Sequence, residues 1–382
     1  NQPANIQVTR SKNTPYGTRI NMLKHKRFIF LIFLVLGSMG CQKQIAAYDT
    51  IDARLQSAFA ADGPGVALYV RAPGVGKQLF SAGLANVEKG RPMRSDAMFR
   101  IGPLTQSFTS TLILQLVQDG SVGLDDTLDK WLPPDMLDAL SNGRQATIRQ
   151  LLTMSSGIPD YTQNPDFQAA YAANPATIWS PADVVAYAYG RPAEFAPGTG
   201  FALSDTNYVL LQMVAEATTG ESLAYTLRER FLSRLDLKET YLERAEDLPE
   251  GHVPGYDATG RVLDEHEGKG LGDDKLVSTT IDLAQFVPAL AGRQLYEGEV
   301  DFARLTTDMG NGVGYGPGVM KRETAWGTLW GYEGATDGFS GSMWYLPERK
   351  ITLIALANEE TYGDALTSLI MDVLGMVAVP EE

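Results

Sequence analysis

The strongest constraint on the fold is the position of the β-type segments, which occur near both ends of the chain. Residues 65–86, "GVALYVRAPGVGKQLFSAGLAN", contain two such runs joined by a glycine-rich turn, which predicts a hairpin. Three more runs lie near the other end, at 327–335 ("GTLWGYEGA"), 341–347 ("GSMWYLP") and 350–359 ("KITLIALANE"). Strands pair into sheets, and a sheet is buried against the core as a single layer. The pattern therefore predicts one antiparallel sheet assembled from both chain ends.

Helical patterns flank this predicted sheet and separate its two halves. The stretches 48–63 and 362–377 have the apolar spacing of helices, and 107–120 is apolar enough to be buried. We therefore expect an α+β fold with an inserted, mostly helical region, and a ligand cleft between that region and the sheet. The expected boundaries are 49–382 for the domain, about 49–120 and 290–382 for its sheet part, and about 121–290 for its helical part.

The first 40 residues predict an upstream segment followed by a secretory signal peptide. From Met22 the chain reads "MLKHKRFIFLIFLVLGSMGC", with a basic start, an apolar run over 28–36 and small residues before Cys41. That run is too short to span a bilayer but suits the core of a signal peptide. The residues before Cys41 resemble a bacterial lipobox. We expect lipidation at Cys41, a tether over 41–48 and a location on the periplasmic side of the cell envelope; the alternative is a cleaved signal and secretion to the periplasm.

Charge and residue usage narrow the classes of partner. The chain has a net charge of −14, but residues 1–40 carry six basic residues and no acid, so the remainder carries −20. Such a surface repels nucleic acid and anionic lipid, so membrane contact is expected only through the lipid anchor. One Cys excludes an intrachain disulfide, and three His give little basis for a metal site, so no metal or other cofactor is expected.

Several long blocks between about residues 50 and 370 occur in an order that is typical of one family. They include "MFRIGPLTQSFTSTLILQLVQDG", "TIRQLLTMSSGIPDY", "FAPGTGFALSDTNYVLLQMVAEATTG" and "GYEGATDGFSGSMWYLPERKITLIALANE". On these blocks the chain resembles the serine β-lactamase-related family, which includes class C β-lactamases, D-Ala-D-Ala carboxypeptidases and related esterases. The resemblance implies a β-lactamase/transpeptidase-like fold, whereas function has to be judged from the site.

The chemistry of that family depends on three short motifs, and the resemblance implies that this chain has lost the reactive residues of each. In S-x-x-K the Lys amine accepts the proton of the Ser hydroxyl, and Pro103 and Gln106 occupy these positions. In Y-x-N the corresponding residues are Leu203 and Asp205. In K-T-G or H-x-G the cationic residue is replaced by Tyr332.

Pro103 has the largest predicted consequence. The nucleophile of the family also supplies its backbone N–H to the oxyanion hole, and proline has neither a hydroxyl nor an N–H. Loss of one oxyanion donor alone costs about 10²–10³-fold in rate. Proline is nevertheless compatible with the first turn of a helix. The motif keeps the scaffold Gly334 and the position of Ala335, whose N–H is the remaining oxyanion donor.

We therefore predict a catalytically inactive envelope protein that binds a cell-wall peptide, another small ligand or an envelope protein through the former active-site cleft. The residues expected to contact the ligand are Gln106, Ser204, Asp205, Tyr332, Gly334 and Ala335. The alternative is an active esterase, peptidase or β-lactamase-like hydrolase with relocated catalytic residues, for which Ser204, Tyr332 and Asp205 are the candidates.

Two further groups of side chains lie close to the motifs. Glu333 and Asp337 could join Asp205 in an acidic cluster suited to a cationic group, or all three could be ordinary surface acids. Thr105 and Ser107 flank the lost Lys position, but both are turned away from the predicted cleft. We expect them to be capping or surface hydroxyls rather than nucleophiles.

Overall fold

The computed structural model describes most of the chain. The described residues are 47–249, 252–262, 271–292, 294–295, 306–310 and 312–378. The predicted signal peptide and the lipidation site at Cys41 lie outside them. Within the described residues, no helix has both the length and the apolarity required to cross a membrane.

Strands occur at both ends of the described chain, as the sequence predicts. They are β1 (Val66–Ala72), β2 (Gly76–Ala82), β3 (Leu84–Asn86), β4 (Arg91–Pro92), β5 (Phe99–Arg100), β6 (Tyr241–Leu242), β7 (Leu276–Ser278), β8 (Thr307–Gly310), β9 (Val313–Gly316), β10 (Val319–Thr324), β11 (Gly327–Thr336), β12 (Phe339–Leu346) and β13 (Ile351–Ala357). Among the described residues, the largest sheet has eight strands in the order β2-β1-β13-β12-β11-β10-β9-β8.

The two chain ends meet where β1 pairs with β13. These strands are antiparallel, with Val66 opposite Ala357, so the predicted N-terminal hairpin extends the C-terminal strands. Short strands form two small sheets beside the main one, β3-β4 and β5-β7-β6. The prediction of an α+β fold with one sheet built from both ends is confirmed, while the exact boundaries of its two parts stay predictions.

The helices surround this sheet and form the inserted region. They are α1 (47–58), α2 (Thr105–Gln118), α3 (Pro134–Ala139), α4 (Ile148–Leu152), α5 (Pro165–Ala173), α6 (Pro181–Ala186), α7 (Asp205–Thr219), α8 (Leu223–Leu227), α9 (Thr280–Ala291) and α10 (Gly363–Val377). Helices α1 and α10 bury apolar side chains on one face of the sheet, and α2 and α9 do so on the other.

Alternation along the central strands explains why both faces are covered. Met343 and Ile354 belong to the core beneath α2 and α9, while their neighbours Trp344 and Leu353 belong to the core beneath α1 and α10. Successive side chains of a strand point to opposite faces, so strands buried on both sides read as continuous apolar runs. This explains why β12 and β13 are evident in the sequence.

The edge strands β8, β9 and β10 are absent from the sequence prediction. Their segments, such as "TDMG" (307–310) and "VGYG" (313–316), are short and rich in glycine, and they lack a clear alternation of apolar and polar residues. Periodicity therefore gives no signal for them. They extend the sheet beyond β11, the strand that carries Tyr332, and they supply one wall of the site.

Candidate functional site

The three substituted motifs meet at one place, between the sheet and the helical region. Pro103 lies in a 3₁₀ turn, Gly102–Leu104, that leads directly into α2, while Asp205 begins α7. Tyr332 lies on β11, beside that turn. A Cβ at Gly334 would lie 3.0 Å from Cγ of Pro103, so any side chain there would require the proline or the strand to shift slightly.

Two adjoining cavities occupy this cleft. The first, which we call the apolar pocket, has a volume of about 280 Å³ and is lined by Pro103, Gln106, Met154, Leu203, Asp205, Met309, Tyr315, Met320, Tyr332, Glu333, Gly334 and Ala335. The second, the acidic pocket, has a volume of about 420 Å³ and is lined by Pro103, Asp205, Asp274, Ala335, Thr336, Asp337, Glu360 and Thr361. Pro103, Asp205 and Ala335 line both.

Gln106 is the centre of a buried hydrogen-bond network at the base of the apolar pocket. Its Nε2 donates to Oδ1 of Asp205 at 3.0 Å, and its Oε1 accepts from the hydroxyl of Tyr332 at 2.7 Å. The hydroxyl of Tyr315 lies 3.2 Å from the same Oε1 and 3.2 Å from the hydroxyl of Tyr208. Gln106 is only 2% exposed, so its neutral amide is held where the family's lysine would stand.

The tyrosines of this network are not general bases. Burial raises the pKa of Tyr332 and Tyr315 well above the usual value, and the neighbouring Tyr208 raises both further. Burial likewise raises the pKa of Tyr208. All three phenols therefore stay protonated at neutral pH, and a protonated phenol cannot accept a proton from a nucleophile. Tyr332 thus closes the former cation position with a hydrogen-bonded ring.

The positions around Asp205 differ in exposure. Leu203 is 58% exposed at the mouth of the apolar pocket, whereas Ser204 is 2% exposed and lines neither pocket. The backbone N–H of Ser204 donates to the sulfur of Met154 at 3.4 Å. Ser204 is therefore poorly placed for either predicted role, ligand contact or relocated nucleophile, because a nucleophile needs both access to substrate and a base within hydrogen-bond reach.

Thr105 and Ser107 are fully buried, so the expectation of surface or capping hydroxyls is wrong. The Oγ1 of Thr105 accepts from the backbone N–H of Leu276, and the Oγ of Ser107 donates to the carbonyl of Gly318. Both hydroxyls connect α2 to neighbouring segments. Neither residue lines either pocket, in agreement with the prediction that they are not nucleophiles.

Four carboxylates line the acidic pocket, from Asp205, Asp274, Asp337 and Glu360. Oδ2 of Asp274 accepts from the hydroxyl of Thr336 at 2.7 Å, and Oδ2 of Asp337 accepts from the hydroxyl of Tyr171 at 2.6 Å. Glu360 accepts from the backbone N–H groups of Ala258 and Gly338. Within the described part of the chain, neither pocket has a Lys, Arg or His in its lining.

The predicted acidic cluster is only partly formed. Asp205 and Asp337 do line one cavity, but the carboxylate of Glu333 is engaged elsewhere. Its Oε1 accepts from Arg322 at 2.6 Å, and its Oε2 accepts from Thr367 of α10 at 3.0 Å. Sequence reasoning placed Glu333 in the cluster because it flanks the Gly334 motif, yet alternation along β11 turns its side chain to the opposite face from Tyr332.

Sequence reasoning missed Asp274 and, beside it, a buried lysine. Lys275 is 3% exposed, and burial lowers its pKa to about 7, although nearby Glu243 partly offsets this effect. Glu243 itself accepts from Arg100 at 2.7 Å in a buried ion pair. The stretch "GDDKL" (272–276), with three consecutive charges at the start of a buried strand, is the signal that could have found them.

Comparison with known proteins decides the family. A family model described as Beta-lactamase matches residues 50–373. The chain belongs to the beta-lactamase family. Among the residues that the structure describes in this beta-lactamase-family protein, no group of three or more His, Cys, Asp or Glu side chains is arranged to hold a metal ion.

Curated relatives include a penicillin-binding protein and a D-aminopeptidase. Penicillin-binding protein 4* of Bacillus subtilis is 27% identical over 300 residues, which are 73% of this chain and 65% of the relative. A D-aminopeptidase of Cereibacter sphaeroides is 22% identical over 296 residues, which are 76% of this chain and 55% of the relative. This beta-lactamase-family chain therefore matches less than two thirds of the length of each of these two relatives.

Solved structures support the same assignment over nearly their whole length. A D-stereospecific amidohydrolase from Streptomyces sp. has a TM-score of 0.74 and 28% identity, covering 85% of this chain and 97% of that one. The D-amino acid amidase from Ochrobactrum anthropi SV3, complexed with L-phenylalanine amide, has a TM-score of 0.73 and 26% identity, covering 87% and 98%. The predicted β-lactamase/transpeptidase-like fold is confirmed.

Proposed function

We propose that this protein is a non-catalytic member of the beta-lactamase family that is anchored in the bacterial cell envelope and binds a ligand through the former active-site cleft. The observation that carries the proposal is the state of the S-x-x-K position. Pro103 offers neither nucleophile nor N–H, and the amide of Gln106 is hydrogen-bonded to Asp205 and to two tyrosines.

The other motif residues support the same proposal. Leu203 cannot relay a proton, and Tyr332 holds its own proton because burial raises its pKa. Ser204, the serine considered as a relocated nucleophile, is buried away from both pockets. Among the described residues, neither Ser204 nor Tyr332 therefore offers a nucleophile with a base in hydrogen-bond reach.

The ligand is proposed to be built from amino acids. The relatives include proteins named as a penicillin-binding protein, a D-aminopeptidase and a D-amino acid amidase. This similarity favours short peptides or amino-acid derivatives as ligands of the cleft. A cell-wall peptide is therefore our first candidate, ahead of an envelope protein that would insert a segment into the cleft.

Intact mass spectrometry tests the absence of catalysis. The purified protein would be incubated with a β-lactam and, separately, with a fluorophosphonate, and an active penicillin-binding protein would serve as a positive control. We expect no mass increase with either reagent on protein that is folded by circular dichroism. A stoichiometric adduct would refute the proposal, and peptide mapping would then identify the nucleophile.

The envelope anchor is tested separately. We expect the mature protein from a membrane fraction to begin at Cys41 and to carry a lipid mass on that residue, because the small residues before it resemble a lipobox. Cys41→Ser should release the protein into the soluble periplasmic fraction. An unlipidated mature protein would favour the alternative of simple secretion.

A further inference from the structure

A second polar site lies outside the cleft, in the turn that follows β6. Arg244 lines neither the apolar pocket nor the acidic pocket, and its side chain is partly exposed. Its Nε and Nη2 atoms, however, are buried and have no hydrogen-bond partner among the described residues. These two atoms form one edge of the guanidinium, which we call the Arg244 edge. Burying a donor without an acceptor is costly, so an acceptor that reaches this edge gains affinity from it.

Three other arginines of the chain show which acceptor such an edge takes. Arg94, Arg144 and Arg149 each use Nε and Nη2 to donate two hydrogen bonds to a single carboxylate. From Arg144 to Asp138 these bonds are 2.7 and 2.8 Å long. Two parallel N–H groups match the two oxygens of a planar carboxylate. The Arg244 edge therefore offers the geometry of a carboxylate site.

The unpaired state of both atoms distinguishes Arg244 from other arginines with buried donors. Arg191 and Arg322 also contain a buried donor without a partner, but in each of them only Nε is affected. Nη2 of Arg322 donates to Glu333 at 2.6 Å. Within the described part of the chain, Arg244 is the one arginine whose Nε and Nη2 are both buried and unpaired.

The acids next to Arg244 in the sequence are held by other partners. Glu243 accepts from Arg100 at 2.7 Å, and Glu246 accepts from Arg228 at 2.7 Å. Each of these carboxylates already has a guanidinium as its donor. None of the described carboxylates pairs with the Arg244 edge, so a ligand is the source of the acceptor that the edge can bind.

The backbone at Arg244 has an unusual conformation. Its φ is 68°, in the left-handed region that residues other than glycine rarely adopt. The turn is fixed by the backbone N–H groups of Ala245 and Glu246, which both donate to the carbonyl of Leu242, at 3.2 and 3.0 Å. Residues held in such conformations cluster at active sites and ligand clamps. The strained turn therefore supports a binding role for Arg244.

A second cation lies close to the Arg244 edge. The backbone N–H of Glu243 donates to the carbonyl of Lys275 at 3.1 Å, so Arg244 directly follows the residue that pairs with Lys275. Lys275 is 3% exposed, and burial lowers the pKa of its amine to about 7, an effect that the charge of Arg244 reinforces. The other charged groups around this amine are Glu243, Asp273 and Asp274, which favour its protonated form, and Arg100, which is paired with Glu243.

We propose that the Arg244 edge binds a small planar carboxylate, with the amine of Lys275 as a second cation beside it. Nε and Nη2 donate one hydrogen bond to each oxygen of the ligand. A bound anion offsets the charge of Arg244 and so favours the protonated amine of Lys275. The same chemical group is found in a small free anion, such as formate, and at the end of a larger carboxylic acid.

Isothermal titration calorimetry with matched probes tests the charge and the shape of the ligand. At constant ionic strength we expect sodium formate to bind with one-to-one stoichiometry. Formamide has the shape of formate without its charge, and chloride has the charge without two oxygens, so each should bind at least about tenfold more weakly. If formate produces no more heat than chloride at high millimolar concentration, water is a sufficient partner for the edge and the proposal is overturned.

Variants locate the site on Arg244. Arg244→Lys keeps the charge but not the pair of donors, and it should weaken formate at least about tenfold. Arg244→Gln also removes the charge and should abolish binding. Arg234→Gln, at an exposed arginine elsewhere, is the matched control and should leave affinity unchanged. Circular dichroism establishes that each variant is folded, and equal formate affinity in all three would refute the site.

Proton uptake tests the role of Lys275. Because the bound anion favours the ammonium, formate should bind at least about threefold more tightly at about pH 6 than at about pH 8. Titrations near pH 7 in two buffers of different ionisation enthalpy should show proton uptake. Lys275→Met should remove the uptake and the pH dependence but keep one-to-one binding, whereas Lys89→Met should keep both. Affinity of the unmodified protein that does not vary with pH would refute the role of Lys275.

A larger carboxylate distinguishes the two sources of the ligand. Weaker binding of N-acetylglycine than of formate assigns the site to small free anions, and equal or tighter binding assigns it to the end of a larger acid. The Arg244 edge is independent of the chemistry of the cleft, because neither Arg244 nor Lys275 lines either pocket. A protein that a β-lactam acylates would thus lose the proposed non-catalytic function, while its formate titration would still decide the anion site.

Discussion

Two buried polar groups beside the cleft, Gln106 and Lys275, are accommodated in opposite ways. Gln106 is neutral, and both ends of its amide are hydrogen-bonded to Asp205 and to tyrosine hydroxyls. The side-chain amine of Lys275 is buried, and desolvation lowers its pKa to about 7. Gln106, at the position that the resemblance assigns to the family's lysine, is thus held in a hydrogen-bond network, whereas Lys275, outside the family's motifs, is costly to charge.

The difference shows what it costs to bury a neutral amide and an ammonium in the same fold. A neutral amide with all its partners costs little to bury, because each buried donor and acceptor has a partner. A buried ammonium costs stability unless it is paired or neutral. Under the proposed non-catalytic function, glutamine rather than lysine at residue 106 therefore avoids the cost of burying a charge.

The largest effect is expected when Ser and Lys are restored at residues 103 and 106, because this puts an ammonium at the position of the neutral amide. Pro103→Ser with Gln106→Lys returns a nucleophile, its backbone N–H and an amine that can donate hydrogen bonds to Asp205 and Tyr332. We expect a stoichiometric fluorophosphonate adduct, formed at least about 10³ times faster than in the unmodified protein. The adduct should persist, because Leu203 relays no proton for its hydrolysis. Mass spectrometry over time measures both rates.

The matched control is Pro103→Ala with Gln106→Lys, which restores the N–H and the amine without a hydroxyl. It should form no adduct. If the folded serine variant also forms none, then the cleft walls, rather than the lost side chains, prevent acylation. That result would make Tyr332, which fills the former cation position, the next residue to change.

Removing the amide of Gln106 should strongly destabilise the fold. Gln106→Leu leaves Asp205 and the buried hydroxyls of Tyr315 and Tyr332 without their shared partner, at a cost of about 3 kcal/mol. Urea unfolding followed by circular dichroism measures the change. Gln118→Leu, at an exposed position of the same helix, should change stability by less than about 0.5 kcal/mol. Similar values for the two variants would contradict a central role of the network.

Replacing Lys275 should stabilise the protein. Its pKa is about 7 in the folded state, compared with 10.5 for an exposed lysine. Between pH 7 and pH 10.5 the Lys275 side chain is protonated in the unfolded chain but neutral in the folded protein, so the free energy of unfolding of the unmodified protein rises with pH across this range. Below pH 7 the folded protein must bury the charged ammonium, and the full desolvation cost applies. Lys275→Met should be more stable by about 2 kcal/mol at pH 7 and below, and its advantage should vanish toward pH 10.5.

Unfolding in urea at about pH 6, 8 and 10 checks this dependence. Lys89→Met, at an exposed lysine between β3 and β4, should show the same pH profile as the unmodified protein. A stability gain for Lys275→Met that does not depend on pH would indicate improved packing rather than removal of a buried charge.

The sequence predicted much of the site because its motifs are local. Six residues can each be placed by their position within a short sequence block, and all six line the apolar pocket: Pro103, Gln106, Leu203, Asp205, Tyr332 and Gly334. The central strands were predictable for a similar reason, since continuous apolar runs such as "KITLIALANE" need no knowledge of their partners.

Other features depend on contacts between distant segments, and no local pattern predicts them. Tyr315 reaches Gln106 only because the glycine-rich strand β9 joins the sheet edge, 209 residues away in the chain. Asp274 enters the acidic pocket only because β7 pairs with β5, beside the turn that holds Pro103. The side chain of Glu333 faces Arg322 because alternation along β11 puts it on that face of the sheet, and the motif alone does not specify the face.

The smallest expected effect concerns the single hydrogen bond from Tyr332 to Gln106. Tyr332→Phe keeps the ring that fills the former cation position but removes the hydroxyl 2.7 Å from Oε1, at a cost of about 1 kcal/mol. Tyr345→Phe, on the neighbouring strand β12, should cost less than about 0.3 kcal/mol. Combined with Gln106→Leu, Tyr332→Phe should cost less than it does alone, because the Gln106 acceptor is already gone and only the 3.3 Å contact with the hydroxyl of Tyr315 remains. Additive costs would mean that the two side chains stabilise the fold independently, and that the amide of Gln106 is not the centre of the network.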